Sequence, residues 1–178
     1  MRIEIKRVDN KLLFIKDNEI IYWGGLILKG LKNFRQLNKS DTLISEIKFK
    51  FRFPFKLIYN ICLTRQQRQI SLVYKNIFKP CFTCNDNLNN YELIPHKGLK
   101  TSIFKNGKQI GYYEHKKIEY MGKNVIFLII DKEFEQDIIF SFILAIEGDF
   151  KNDYSTVSFD IGNFGPEIKP FDNNWRPL

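Results

Sequence analysis

Residues 133–148 read EFEQDIIFSFILAIEG, and the architecture turns on what this stretch forms. Phe134, Ile138, Ile139, Phe140, Phe142, Ile143, Leu144, Ala145 and Ile146 are too densely apolar for the alternation of a half-buried strand. Asp131, Glu133, Glu135 and Asp137 lead into the apolar run and Gly148 follows it. Acidic residues favour a helix start through the dipole, and glycine favours the turn beyond a helix end. The pattern predicts a helix over residues 133–147, roughly 21 Å long. A central buried strand is the competing reading, because Ile and Phe also suit strands. A helix that is apolar nearly all round has to be covered on every side. Two packed layers would cover one side of it, whereas a closed barrel with the helix along its axis covers all of them. Strands of about six or seven residues span about 20–23 Å, so such a barrel and the helix match in length.

The flanking sequence supplies the strands. Leu12 to Lys16 and Glu19 to Trp23 flank Asp17-Asn18, a favourable tight-turn pair. Leu57 to Thr64 and Gln69 to Phe78 flank residues 65–68, with Leu57, Tyr59, Ile61 and Leu63 on one face and Ile70, Leu72 and Tyr74 on another. Thr101 to Lys105 and Lys108 to Glu114 flank Asn106-Gly107, which supplies the positive φ angles of a type I′ turn. Ile118 to Met121 and Val125 to Ile130 flank Gly122-Lys123-Asn124. A series of hairpins implies a meandering antiparallel sheet closed as a barrel or stacked as a sandwich. Gly24-Gly25 reads as a strand end or bulge, and Asn33 to Asn38 as a loop. Residues 1–150 thus form one mostly β domain with a buried helix. Residues 151–178 form a tail packed on the barrel, in which Tyr154 to Phe159 suits a short strand and Trp175 an aromatic anchor.

The chain has 178 residues, 44% hydrophobic and 27% charged, enough apolar content to bury a core and to exclude wholesale disorder. Ala occurs once, at Ala145, which disfavours a helical bundle. No apolar run approaches the ~20 residues of a membrane-spanning helix. The acidic residue in Met1-Arg2-Ile3-Glu4 breaks any secretory pattern, so the expected location is the cytoplasm, with peripheral membrane attachment compatible with the charge. Residues 1–80 carry 17 Lys/Arg against 6 Asp/Glu, a balance of +11, while residues 81–178 carry 11 against 14. Such a dipole favours an anionic lipid surface or an acidic protein as partner. It equally serves solubility.

Between Ser45 and Lys56, Lys48, Lys50 and Arg52 alternate with Phe49, Phe51 and Phe53. On a strand this places cations on one face and rings on the other, the rings anchoring the strand to the core. The cations are then either a solvated face or, with Lys56, a stripe of an anion-binding surface. Nucleic-acid binding is disfavoured, because stacking rings would have to share the face of the cations.

Catalytic and metal signatures are sparse. The sequence has no GxSxG, P-loop, GxGxxG or HExxH. Cys81-Phe82-Thr83-Cys84 has CxxC spacing, but Lys79-Pro80 before it and Asn85-Asp86-Asn87 after it read as a turn, and a closed zinc site needs further paired ligands. His96 falls in a loop after Pro95, and His115 lies beyond a strand among Glu114, Lys116 and Lys117. The acidic cluster 131–137 lacks the glycine turn of a Ca²⁺ loop and reads as helix-terminal charge. No catalytic residues, metal or cofactor are assigned.

The order Tyr91-Glu92-Leu93-Ile94, then SIFKNGKQIG at residues 102–111, then a further hairpin and a hydrophobic helix, resembles the tubby C-terminal-like superfamily. The nearer likeness is to its LURP-one-related and scramblase-like branch, where Tyr-x-Ile precedes a strand and an Asn-Gly-x-x-Ile-Gly turn precedes the next. Asp17-Asn18-Glu19-Ile20 matches the corresponding turn near the amino end, and the likeness covers residues 10–147. It implies a barrel of about twelve antiparallel strands around a central hydrophobic helix. It further implies a non-enzymatic binding module: tubby domains bind phosphoinositides, scramblase-like members associate with membranes, and plant members are linked to defence. Their head-group contacts find no residue-by-residue counterpart here. The palmitoylated cysteine-rich segment of scramblases is not matched either, so lipid transport is not expected. The sequence after Gly148 departs from the tubby pattern, in which the buried helix comes last. The alternative function is a protein–protein interaction module, such as an immunity protein that neutralises a toxin.

Overall fold

A computed structural model describes residues 1–29, 32–52, 56–76, 79–86, 88–118, 123–148 and 170–178. Among these residues, alternating side chains form twelve strands and the densely apolar segment forms one helix: β1 (Arg2–Val8), β2 (Lys11–Lys16), β3 (Glu19–Lys29), β4 (Lys32–Lys39), β5 (Thr42–Arg52), β6 (Lys56–Leu63), β7 (Arg68–Asn76), β8 (Lys79–Asn85), β9 (Asn90–His96), β10 (Lys100–Lys105), β11 (Lys108–Ile118), β12 (Lys123–Ile130) and α1 (Gln136–Glu147). Each strand pairs antiparallel with its successor, and β1 pairs with β12 to close the barrel. Closure removes the free sheet edges of the barrel wall itself. It also means that position in the sequence becomes position around the wall, so the cationic first half of the chain becomes one side of the barrel.

The turns that set this register are the ones whose backbone demands are visible in sequence. Asp17 and Asn18 have φ of 50° and 66°, and Asn106 and Gly107 have 52° and 79°, the left-handed pair of a type I′ hairpin. Both hairpins form where expected.

The helix lies inside. Ile138, Ile139, Phe140, Phe142, Ile143, Leu144 and Ala145 are all fully buried, in one cluster with inward residues of the strands such as Ile3, Phe14, Leu37, Ile61, Leu93 and Leu128. A helix wrapped by a closed sheet needs no polar face, which is why this one can be apolar all round. Phe140 packs on Phe14 at 4.6 Å and on Tyr22 at 4.8 Å, and Phe142 meets Tyr91 at 5.5 Å. Gly24 is a point of close approach: a Cβ there would lie 2.4 Å from Leu144 Cδ2, so glycine lets β3 lie against the helix without displacing that side chain.

Several expectations are corrected. The helix begins at Gln136 rather than Glu133. Glu135, which precedes it, is held by the wall instead of capping its backbone: Tyr91 Oη and Lys105 Nζ both donate to its carboxylate. Gly24-Gly25 is interior to β3, and Asn33 to Asn38 belongs to β4 rather than to a loop, its polar Arg35 and Asn38 buried in the barrel. Cys81 and Cys84 lie on β8, not in a turn. An odd separation along a strand sends them to opposite faces, Cys84 into the core and Cys81 into a small cluster with Ile94 and Phe104. Ile118 does not open a new strand: β11 runs from Lys108 to Ile118 as one strand paired with β12, and residues 119–122 lie outside the described residues.

The end of the tail docks as an aromatic strap. Phe171 packs on His96 and Tyr112, while Trp175 meets Tyr112 at 5.9 Å and donates its indole N–H to the Gln109 carbonyl at 3.2 Å. The expected strand at Tyr154 to Phe159 lies outside the described residues.

Candidate functional site

The meander sends its connections alternately to the two ends of the barrel. At the end where α1 starts, turns such as Asp17-Asn18, Ser40-Asp41 and Asn106-Gly107 are short and polar. At the end where α1 finishes, the hairpins run on. β5 pairs with β4 only as far as Ile47, and β6 with β7 only as far as Ile58. Beyond those points Lys48 to Arg52 and Lys56–Leu57 hydrogen-bond only within their own hairpin, a two-stranded ribbon standing off the barrel.

Register fixes the faces of that ribbon. Lys48 lies opposite Asn60, Lys50 opposite Ile58, and Arg52 opposite Lys56; Phe49 lies opposite Tyr59 and Phe51 opposite Leu57. Directly opposed residues share a face. Lys48, Lys50, Arg52 and Lys56 therefore converge on one face, with Asn60 and the buried Ile58 between them and Glu46 next along it, and all four cations are exposed. The sequence pattern placed them together and the structure does so. The rings behave differently from expectation. Phe49 and Phe51 are each 55% exposed and do not anchor the strand in the core, because the ribbon has outrun it. Phe49 reaches back only as far as Tyr59, at 5.4 Å. Phe53 lies outside the described residues.

Two clusters at the ends of α1 were not legible as groups in the sequence. At the helix start, Tyr22 Oη donates to Asp137 Oδ1 at 2.7 Å, and Glu135 is held by Tyr91 and Lys105. Burial pushes both phenols up, reinforced by their carboxylate partners. Burial also pushes Glu135 up, but the bonds from Tyr91 and Lys105 outweigh it, and its carboxyl sits below the usual value. Beside this end a cleft of about 250 Å³ is lined by Lys39, Ser40, Thr42, Ile44 and Arg65.

At the helix end, the last turn of α1 holds no basic residue, so the wall supplies the cations. Arg7 Nη2 donates to the Glu147 carbonyl at 2.6 Å, Arg35 Nη1 donates to the Ala145 carbonyl, and Gly148 N–H bonds the Leu144 carbonyl at 3.0 Å. These satisfy carbonyls that a helix terminus otherwise leaves unpaired and offset its negative dipole. His115 is inside β11, not beyond a strand, and its Nε2 lies 3.3 Å from Glu147 Oε1. Burial pulls the imidazole pKa down, but the hydrogen bond and charge of Glu147 more than offset it, leaving it above the ordinary histidine value. His96 likewise ends β9 rather than sitting in a loop, and its Nε2 is 2.9 Å from Ser102 Oγ. Both histidines thus serve internal contacts, which a sequence separation of 32 residues between His115 and Glu147 conceals.

Burial pushes the Cys84 thiol up to about 11. Among the described residues, no three His, Cys, Asp or Glu side chains form a cluster that could hold a metal ion, and no helix is long and apolar enough to cross a membrane. Comparison with protein-family models, curated proteins and solved structures finds no match to this chain.

Proposed function

We propose that this protein is a non-enzymatic binding module of the tubby and LURP-one type that engages anionic phospholipid head groups at a membrane surface. The carrying observation is the convergence of Lys48, Lys50, Arg52 and Lys56 on one exposed face of a ribbon that stands off the barrel. Four cations on a projecting hairpin can all approach a flat surface at once, which cations spread around a convex wall cannot. Each contributes on the order of 1 kcal/mol near an anionic bilayer, so together they approach about a thousandfold in partitioning. The barrel around a central hydrophobic helix agrees with the architecture that the family resemblance implies, and so supports the reading. The +11 balance of residues 1–80 adds a long-range field of the right sign.

Co-sedimentation with vesicles tests it. The protein should pellet with phosphatidylcholine vesicles containing phosphatidylserine, and added salt should weaken that binding. Charge reversal at Lys48, Lys50, Arg52 and Lys56 should abolish it while leaving the circular dichroism spectrum unchanged. Equal partitioning onto pure phosphatidylcholine, or none onto either, refutes the proposal. An immunity-type protein module would show the second result together with capture of an acidic partner.

A further inference from the structure

The inward stripe of each strand can be followed out of the barrel. On β3, Tyr22 and Gly24 face the helix, so Leu26 and Leu28 continue the same face; on β5, Ile47 is buried and Phe49 and Phe51 continue it. β3 pairs with β2 only as far as Gly25, and β4 with β5 only as far as Arg35, so this hairpin also stands off the barrel, beside the β5–β6 ribbon. The helix has ended by then, with Arg7 and Arg35 closed over its last carbonyls. Leu26, Leu28, Phe49 and Phe51 are consequently left 38%, 70%, 55% and 55% exposed on two neighbouring hairpins. Val8 and Leu99 are exposed at the same end, beside other turns, while Ile20, Leu88 and Leu178 are exposed elsewhere on the barrel. An interior pattern carried past the core adds little burial to the fold and costs solubility, which marks it as a contact surface.

We infer that this end of the barrel is an insertion surface: Leu26, Leu28, Phe49 and Phe51 enter the head-group and acyl boundary of an anionic bilayer, with the barrel axis pointing at the membrane. The inference rests on the anionic-membrane reading above and names how that surface is held. The occupant is indicated by what shares the ribbon. Lys48, Lys50, Arg52 and Lys56 back the aromatic face, and an apolar face backed by long cations is the composition suited to a bilayer interface, where rings sit at head-group depth and Lys and Arg stems reach up to phosphate. At the opposite end the turns Asp17-Asn18, Ser40-Asp41 and Asn106-Gly107 are polar, and the exposed Ile20, Leu88 and Leu178 sit on three separate segments rather than on paired hairpins backed by cations, which gives the orientation its sense.

The test separates insertion from surface attraction. Phe51→Trp adds a fluorophore at the ribbon; on phosphatidylserine-containing vesicles its emission, after subtraction of the wild-type signal from Trp23 and Trp175, should shift to the blue and be quenched by lipids brominated on their acyl chains. Phe51→Ser with Leu28→Ser, neither of which fills the core, should leave thermal unfolding unchanged and lower partitioning roughly tenfold. Wild-type protein should retain a fraction of binding at high salt that this double variant loses. If wild type binds the vesicles but salt releases all of it and the Trp emission does not move, insertion is overturned while the electrostatic reading stands. No vesicle binding by wild type overturns both. If the double variant binds vesicles normally and instead loses self-association seen by sedimentation, a second copy covers this face and the lipid occupant is wrong.

Discussion

Replacing Gly24 by Ala tests whether α1 runs through the barrel against β3. The added methyl would lie 2.4 and 2.8 Å from the two terminal carbons of Leu144 and 3.1 Å from its Cγ. Leu144 is fully buried within the core cluster, so its side chain has no free space to swing into. Overpacking of this kind costs about 1–3 kcal/mol, against which the loss of glycine's unfolded-chain freedom returns about 0.4–1 kcal/mol. The net expectation is a loss of about 1–2 kcal/mol, or about 3–6 °C in Tm for a chain of this size. Leu144→Ala alone should cost about 2–5 kcal/mol through the cavity it leaves. In that background Gly24→Ala fills part of the cavity, so its effect should change sign and stabilise. Urea unfolding of the four proteins, followed by far-ultraviolet circular dichroism, measures the cycle. Equal cost of Gly24→Ala in both backgrounds would mean that the two residues do not touch, and the central position of the helix would be wrong.

Three further outcomes follow from contacts of α1 and from the cysteines. His115 has its pKa raised by Glu147, so its stabilising contribution is full below the unfolded value of about 6.5 and is lost as pH rises through the higher folded value; the Tm gap between wild type and His115→Gln should therefore narrow from mildly acidic to mildly alkaline pH, and a gap that widens contradicts the pairing. Ser45 and Ser141 hydroxyls meet at 2.7 Å in the core, and Ser141 also donates to the Asp137 carbonyl at 2.6 Å; Ser141→Ala strands the Ser45 hydroxyl at about 1–3 kcal/mol, whereas the Ser45→Ala, Ser141→Ala double variant should recover part of that loss in a denaturant titration. Cys62 is exposed while Cys81 and Cys84 are buried; a thiol-reactive chromophore should modify one cysteine quickly in native protein and all three only after unfolding, and a Cys81–Cys84 disulfide found by mass spectrometry would contradict their opposite faces on β8.

Local order was written into the sequence where it depends on nearest neighbours. The density of Ile and Phe in residues 138–146 excluded alternation and required burial on all sides, and the left-handed preferences of Asp17-Asn18 and Asn106-Gly107 marked two hairpins. Alternation in Lys48 to Arg52 put the cations on one face, whatever the strand's surroundings. Tertiary structure decided what each face meets, because burial depends on where neighbouring strands and the helix end. The same alternation that buries Ile47 leaves Phe49 and Phe51 in the open, since β4 stops pairing with β5 at Arg35 and α1 stops at Glu147. Contacts between residues far apart in the chain were equally out of reach: nothing near His115 names Glu147, and nothing near Gly24 names Leu144, until the ring of strands closes around the helix and brings them within van der Waals distance.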